Sequence, residues 1–266
     1  HCLEYKVAKL EGAPCTSHGD FDNAKTLPAA LATATGLAAQ MHALLTIMKT
    51  GDNFLCANEL YGGSFSQMKY SFTQLGIEAR FVEMGKPETF ESKIDSRTKA
   101  IYIEAIANPS YNVPDFDVIK AIAVRNHLPL VVDNTFGMCG YVCRPLALGA
   151  DVVVQSATKW LGGHGTTMGG MIVDGQSFDW SVKGEDGKFK FPEIADNQPS
   201  YHGASFLEHP VFGVKATNTI FILLARLKTM RDLGGAQSPF NAFQLIQGVE
   251  TLALRAKAHC ENTNAL

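Results

Sequence analysis

Residues 151–165 read DVVVQSATKWLGGHG: an apolar run that ends in Ser156, Ala157, Thr158 and Lys159 and then breaks on a Gly-Gly-His-Gly turn. An unbroken apolar run, as opposed to an alternation, is how a strand covered on both faces reads, and such strands belong to parallel sheets flanked by helices. Similar runs recur at 52–57 (DNFLCA), 79–84 (ARFVEM), 100–106 (AIYIEAI), 128–133 (LPLVVD) and 169–174 (GGMIVD). Helical spacing fills the intervals at 37–50, 62–75, 88–95 and 115–126. In the last of these Asp115 follows Pro114 at a helix start, and Phe116, Ile119, Ile122 and Ala123 fall on one face. Strand and helix in alternation predict an α/β protein with a mainly parallel sheet, whose reactive side chains gather at the carboxyl ends of the strands.

Composition narrows the class. With 46% hydrophobic and 18% charged residues in 266, the chain can build an ordinary globular core. Its net charge of -3 comes from acidic and basic residues spread along the chain, without the basic block that a nucleic-acid partner needs. None of the six cysteines forms a CxxC, so no disulfide framework is implied and a reducing cytoplasm fits. Cys139 and Cys143 are at most half a metal site, and no metal is expected. The uncharged stretch Thr26–Met48 is long enough to span a bilayer, but Pro28, Gly36, Gln40 and His42 interrupt it, so it reads as a loop and a core helix with no membrane role. The N-terminus, HCLEYKVAKLEGA, has neither a hydrophobic signal core nor an initiator Met and reads as the interior of a longer chain. Residues 14–28 look like an inserted loop, and 175–210 like a long surface excursion before helices at 212–232 and from 236 onward. The expected organisation is a large α/β domain over 1–235, with 236–266 a long helix leading into a C-terminal domain largely absent from this chain.

Three strand ends carry candidate chemistry: LPLVVD closes on Asp133, DVVVQ leads into Ser156, Thr158 and Lys159, and AIYIEAI leads into Asn108. A lysine enclosed by apolar strands loses the solvation of its charged form and becomes available as an amine nucleophile toward an aldehyde. The hydroxyls of Ser156 and Thr158, with the amides of Gly36 and Leu37 at a helix start, suit a phosphate dianion. A carboxylate such as Asp133 can keep a pyridine nitrogen protonated. Lysine, phosphate cradle and carboxylate together are the set that pyridoxal phosphate requires. Each has a plainer reading: a snorkelling surface lysine, an aspartate capping a turn, glycines in a tight turn. Neither GxGxxG nor GxxxxGKS is present to favour a nucleotide.

The segments VVDNTF, SATKWLGGHGT, YGGS, ANPSYNVPDF and RDLGGAQSPFNAFQLIQGVETLALR resemble the Cys/Met-metabolism family of pyridoxal-phosphate enzymes, and within it the O-acetylhomoserine sulfhydrylases. The resemblance spans nearly the whole chain apart from 14–28. It implies the aspartate-aminotransferase-like fold, fold type I. It also implies that Lys159 carries the cofactor aldehyde, that Asp133 faces the ring nitrogen, and that Ser156, Thr158, Gly36 and Leu37 bind phosphate. By the same likeness Tyr61 stacks on the ring and Asn108 lies against its phenolic oxygen, with Lys159, Tyr61 and Asp133 catalytic, while His164 is structural in its turn. Thr35 stands where the family usually has serine, which keeps the hydroxyl.

The implied activity is replacement at the γ carbon of O-acetylhomoserine by sulfide or a thiol, giving homocysteine or its thioether in methionine and cysteine biosynthesis. Cystathionine γ-synthase or a γ-lyase of the same family is the nearest alternative, and a non-catalytic scaffold subunit is the alternative of another class. The family's phosphate-binding Tyr-x-Arg, contributed by a neighbouring subunit, and its substrate-carboxylate arginine have no match in these residues. The resemblance therefore implies a homo-oligomer, a tetramer of dimers with shared active sites.

Overall fold

Valine, isoleucine, leucine and phenylalanine dominate the apolar runs, and each run forms a strand. The computed structural model describes residues 1–14, 28–207 and 219–266. Its strands are β1 (Ala30–Thr33), β2 (Asn53–Ala57), β3 (Glu78–Val82), β4 (Thr98–Glu104), β5 (Leu130–Asp133), β6 (Val152–Gln155) and β7 (Gly170–Asp174). They lie in one seven-stranded sheet in the order β1-β7-β6-β5-β4-β2-β3. Its pairings from β3 across to β6 are all parallel, and only β7 runs against its neighbours β6 and β1.

Strand β1 is a correction to the sequence reading, which passed over it. Its residues, ALAT, hold one β-branched side chain, Thr33, and no aromatic one, too little to mark a strand, and pairing with β7 in the register Thr33↔Gly170 supplies the structure. The consequence reaches the site. Because β7 is reversed, β1 runs in the same direction as β6, so its carboxyl end emerges at the same edge as those of β4, β5 and β6.

The helices are α1 (Cys2–Glu11), α2 (Gly36–Ile47), α3 (Gly62–Ser66), α4 (Phe72–Gln74), α5 (Glu88–Glu91), α6 (Phe116–Arg125), α7 (Pro192–Ala195), α8 (Ile220–Leu224), α9 (Arg231–Leu233) and α10 (Pro239–Ala265). π-helical turns join α3 to α4 and α8 to α9, so the helix expected at 62–75 is continuous but locally underwound. In α6 the Asp115 side chain accepts from Val118 N, and the stripe Phe116, Ile119, Ile122 and Ala123 is buried as its spacing requires. Burial of each large apolar side chain there contributes about 1.5–3 kcal/mol.

Helix α1 was not anticipated. It buries Leu3, Val7 and Ala8, and its Glu4 accepts from Ala32 N at 2.9 Å and pairs with Arg226, also at 2.9 Å. The excursion after β7 is anchored, not loose: Trp180 is buried, stacked on Phe221 at 5.1 Å and edge-on to Phe191 at 5.3 Å. The inserted loop at 14–28 lies outside the described residues except for its two prolines, as does the first part of the helix expected from 212. Helix α10, capped by Ser238 through Asn241 N, packs Leu245, Leu252 and Ala256 back against the sheet domain. Among the described residues no helix is long and apolar enough to cross a membrane, and no cluster of His, Cys, Asp and Glu could hold a metal ion.

Candidate active site

β4, β5 and β6 are adjacent and parallel, so their last residues come side by side: Glu104 is the register partner of Asp133, and Asp133 of Val154. A cavity of about 690 Å³ opens at this edge, within the usual range for a small-molecule site. Gly36, Leu37, Tyr61, Asn108, Asp133, Ser156, Thr158 and Lys159 all border it. Residues more than a hundred positions apart in the chain thus meet in one space.

At one end lies the start of α2. Thr35 caps it, its hydroxyl accepting from Ala38 N at 3.0 Å and its carbonyl from Ala39 N at 3.0 Å. Gly36 and Leu37 then carry the first amides of the helix, which have no intrahelical partner and sit at its positive end. A Cβ on Gly36 would stand 2.8 Å from Ser156 Cβ and 2.9 Å from Ser156 Cα, so only glycine lets the helix start and the end of β6 approach this closely. Thr158 borders the same space, yet its hydroxyl is already engaged, accepting from Gly169 N at 3.0 Å and lying 3.2 Å from Gly169 O.

Asp133 combines the plain and the functional readings. Its Oδ1 caps a turn, accepting from Thr135 N at 2.9 Å and Thr135 Oγ1 at 2.6 Å. Thr135 Oγ1 in turn accepts from Ser156 N at 2.8 Å, which ties the ends of β5 and β6 together. Asp133 Oδ2 has only the Tyr102 hydroxyl at 3.5 Å, too long for a strong bond. Burial pushes the Asp133 carboxyl above its ordinary value. Burial, with Asp133 beside it, pushes Glu104 up to about 8.

Lys159 corrects the expectation of a buried amine. The chain turns out of the sheet at Ser156, where Lys159 N bonds Ser156 O at 3.2 Å, and the side chain is exposed at the cavity mouth. Tyr61 is about half exposed at 49% and caps α3, and a Cβ on Gly63 would fall 2.5 Å from its ring. Asn108, in the first part of the loop leaving β4, is half-buried. His164 places Nδ1 2.6 Å from Gly162 O, a contact within the turn itself.

Several residues at this edge escaped the sequence reading. Glu104 was visible only as one carboxylate inside the apolar run AIYIEAI; it accepts from Tyr61 N at 2.7 Å and Asn108 N at 3.1 Å. Gln40 of α2 accepts from the Tyr102 and Ser64 hydroxyls at 2.9 and 3.0 Å. Glu11, fully buried, receives Asn134 Nδ2 and Gln155 Nε2 at 2.9–3.0 Å and so holds the neighbours of Asp133 and Ser156. Arg255 of α10 donates to Trp160 O and Gly248 O at 2.8 Å, bracing the turn that follows Lys159. No local pattern marks Gln40, Glu11 or Arg255, because their partners lie far away in sequence.

The donor set fits pyridoxal phosphate. Two helix-start amides with a hydroxyl-bearing strand end suit its phosphate, Asp133 Oδ2 is an acceptor awaiting a cationic N–H, and an amine stands at the mouth. Among the described residues no ion pair reaches Asp133 or Glu104, so a cationic ring nitrogen would relieve an otherwise uncompensated pair of carboxyls. A parallel α/β sheet with these groups at its carboxyl edge defines a pyridoxal-phosphate-binding class of protein. The chain belongs to the family described as Cys/Met metabolism PLP-dependent enzymes, whose model matches residues 2–266.

Among its relatives is the homocysteine/cysteine synthase of Saccharomyces cerevisiae, 48% identical over 260 residues, covering 98% of this chain and 53% of that protein. The O-acetyl-L-homoserine sulfhydrylase of Leptospira meyeri is 43% identical over 264 residues, covering 98% of this chain and 54% of that protein. A crystal structure from Campylobacter jejuni, assigned as an O-acetylhomoserine (thiol)-lyase and containing a pyridoxyl-lysine phosphate, superposes with a TM-score of 0.80 at 30% identity, covering 99% of this chain and 59% of that one. The chain spans about half the length of the curated relatives it matches.

Proposed function

We propose that the protein carrying this chain catalyses γ-replacement on O-acetylhomoserine, with sulfide or a thiol giving homocysteine or its thioether and acetate. The observation that supports this best is the meeting of Lys159, Asp133 and the α2 amides around one cavity, in a chain whose relatives carry the sulfhydrylase and homocysteine synthase names.

Pyridoxal phosphate, when bound, supplies an aldehyde that takes the substrate's amino nitrogen and a ring that draws electrons from the substrate carbons. Ser156, Thr158 and the amides of Gly36 and Leu37 bind the phosphate; for Thr158 this requires its hydroxyl hydrogen to turn from Gly169 O. Asp133 holds a proton on the ring nitrogen through Oδ2 while Oδ1 remains tied to Thr135. Lys159 would hold the cofactor through its aldehyde and, once displaced by substrate, would act as the base that moves the protons at Cα and Cβ. Tyr61 would stack on the ring and assist proton transfer at the acetate leaving from Cγ, where sulfur would take its place. Asn108 orients the phenolic oxygen.

The assembly belongs to the same proposal: a homotetramer built from two dimers, with sites completed across the dimer interface. Exposed Leu37, Tyr61 and Met168 around the mouth, at 37%, 49% and 55%, support a neighbour there. A cytoplasmic location is supported by the free thiols of all five described cysteines. We also propose 1–235 as the cofactor domain and 236–266 as the lead into a further one, a division supported by the Ser238 cap.

The test is acetate release and homocysteine formation by the full-length protein given O-acetylhomoserine and sulfide. Preference for cysteine as sulfur donor would favour the cystathionine synthase reading, breakdown of cystathionine the γ-lyase, and a colourless, inactive protein the scaffold. Borohydride should fix the cofactor to the wild-type chain and not to Lys159→Ala.

A further inference from the structure

Glu104 ends β4 in the middle of the site, yet nothing in the proposed chemistry uses it. Its side chain is buried, and its two oxygens are spent on two different loops: Oε1 accepts from Tyr61 N at 2.7 Å and Oε2 from Asn108 N at 3.1 Å. Those loops leave β2 and β4 and flank the cavity. Outside, the half-buried Glu59 joins the β2 loop to Ser110 and to Asn112 at 2.6 Å through solvent-exposed bonds. An exposed stitch of this kind contributes little. The buried one is different, because two amide hydrogens converge on one carboxylate in a space with little water to replace them.

We propose that Glu104 is a positioning residue that ties the Tyr61 loop and the Asn108 loop to the end of β4 and so sets the spacing of the two groups that face the bound ring. This rests on the reading of the cavity as a pyridoxal-phosphate site. Both amides are donors, so the arrangement uses both oxygens as acceptors, which the ionised carboxylate provides at full strength and the protonated acid, with a hydroxyl at one of them, provides poorly. Burial and the neighbouring Asp133 oppose that ionisation. A cationic ring nitrogen beside Asp133 favours it, so filling the cavity tightens the two loops.

The test is amide hydrogen exchange on the full-length protein, first stripped of cofactor and then reloaded with pyridoxal 5'-phosphate, in wild type and Glu104→Gln. A glutamine presents an NH2 group to one of the two amides. The Tyr61 or Asn108 amide should then exchange roughly tenfold faster or more, the scale of losing one hydrogen bond to a charged group. Strand amides of β5 and β6 should keep their wild-type rates, as should every amide in the control Glu59→Gln. At equal cofactor occupancy the visible circular dichroism of the reloaded Glu104→Gln protein should fall, because the ring is held less firmly between its neighbours. Wild-type exchange should slow at both loop amides on reloading. If Glu104→Gln does not fold, Glu104→Asp carries the test: one methylene shorter, it can reach only one amide, and the other is released. Unchanged exchange at Tyr61 and Asn108, or a rise shared equally by β5 and β6, overturns the assignment. A protein that never takes up pyridoxal phosphate sinks the functional reading, while exchange in the cofactor-free protein at about pH 9, above the raised value of Glu104 where its carboxylate is ionised, still judges the clamp.

Discussion

Gly36→Ala tests the phosphate cradle directly. The added Cβ would lie 2.8 Å from Ser156 Cβ, 2.9 Å from its Cα and 3.2 Å from its N. Relaxed carbon contacts sit at about 3.5–4.0 Å, so α2 and the end of β6 must separate by roughly 0.7 Å or more. Backbone atoms are involved, and no side-chain rotation relieves the contact. Overpacking of this kind costs about 1–3 kcal/mol, equivalent in a chain of this size to a Tm lowered by roughly 2–12 °C. The same movement carries the Gly36 and Leu37 amides away from Ser156, so affinity for pyridoxal 5'-phosphate should fall about tenfold or more, near 1.4 kcal/mol. Titration of the cofactor-free protein, followed by absorbance, measures the affinity, and a thermal melt measures the strain. Gly85→Ala is the control, since a Cβ there meets nothing within 4 Å. Wild-type affinity and Tm in Gly36→Ala would refute the cradle.

Asp133→Asn can keep both Thr135 bonds through its carbonyl oxygen while losing the charge; the cofactor should still bind, and turnover should fall by about two orders of magnitude, roughly 2.7 kcal/mol. Equal turnover would make Asp133 a turn cap alone. Burial raises the Glu11 carboxyl from 4.5 to about 8, so folding favours its protonated form and the stability it contributes, fully present below about pH 4.5, is lost as pH rises through about 8. Buried Glu104, raised to about 8, and Asp174, raised to about 7, act with the same sign. Melts of the cofactor-free protein between pH 6 and 8.5 should therefore show a falling Tm that is shallower in Glu11→Gln, and an identical slope in the variant would count against Glu11. Arg255→Met should free the carbonyls of Trp160 and Gly248, lowering stability by about 2 kcal/mol and speeding exchange in the turn after Lys159. Protection unchanged at residues 161–163 would show that α10 does not brace the turn.

The strands β2 to β7 and the helix α6 were legible in the sequence because their evidence is local: unbroken apolar runs, a capping aspartate, a stripe at helical spacing. The strand-end positions of Asp133 and Lys159 were legible for the same reason, and the likeness of SATKWLGGHG to a known family suggested what they do. The tertiary structure alone decided the rest. β1 is a strand only because β7, some 140 residues later, pairs with it, and that reversed partner brings Gly36 to the same edge as Ser156. Whether Lys159 is buried depends on how the chain turns out of the sheet, and the structure leaves it exposed at the cavity mouth. Glu104, Glu11, Gln40 and Arg255 acquire their partners only across the fold. Hydrophobic periodicity records which face of an element is buried; hydrogen bonds between distant elements leave no period in the sequence, so the polar framework of the site became readable only when the strands were set side by side.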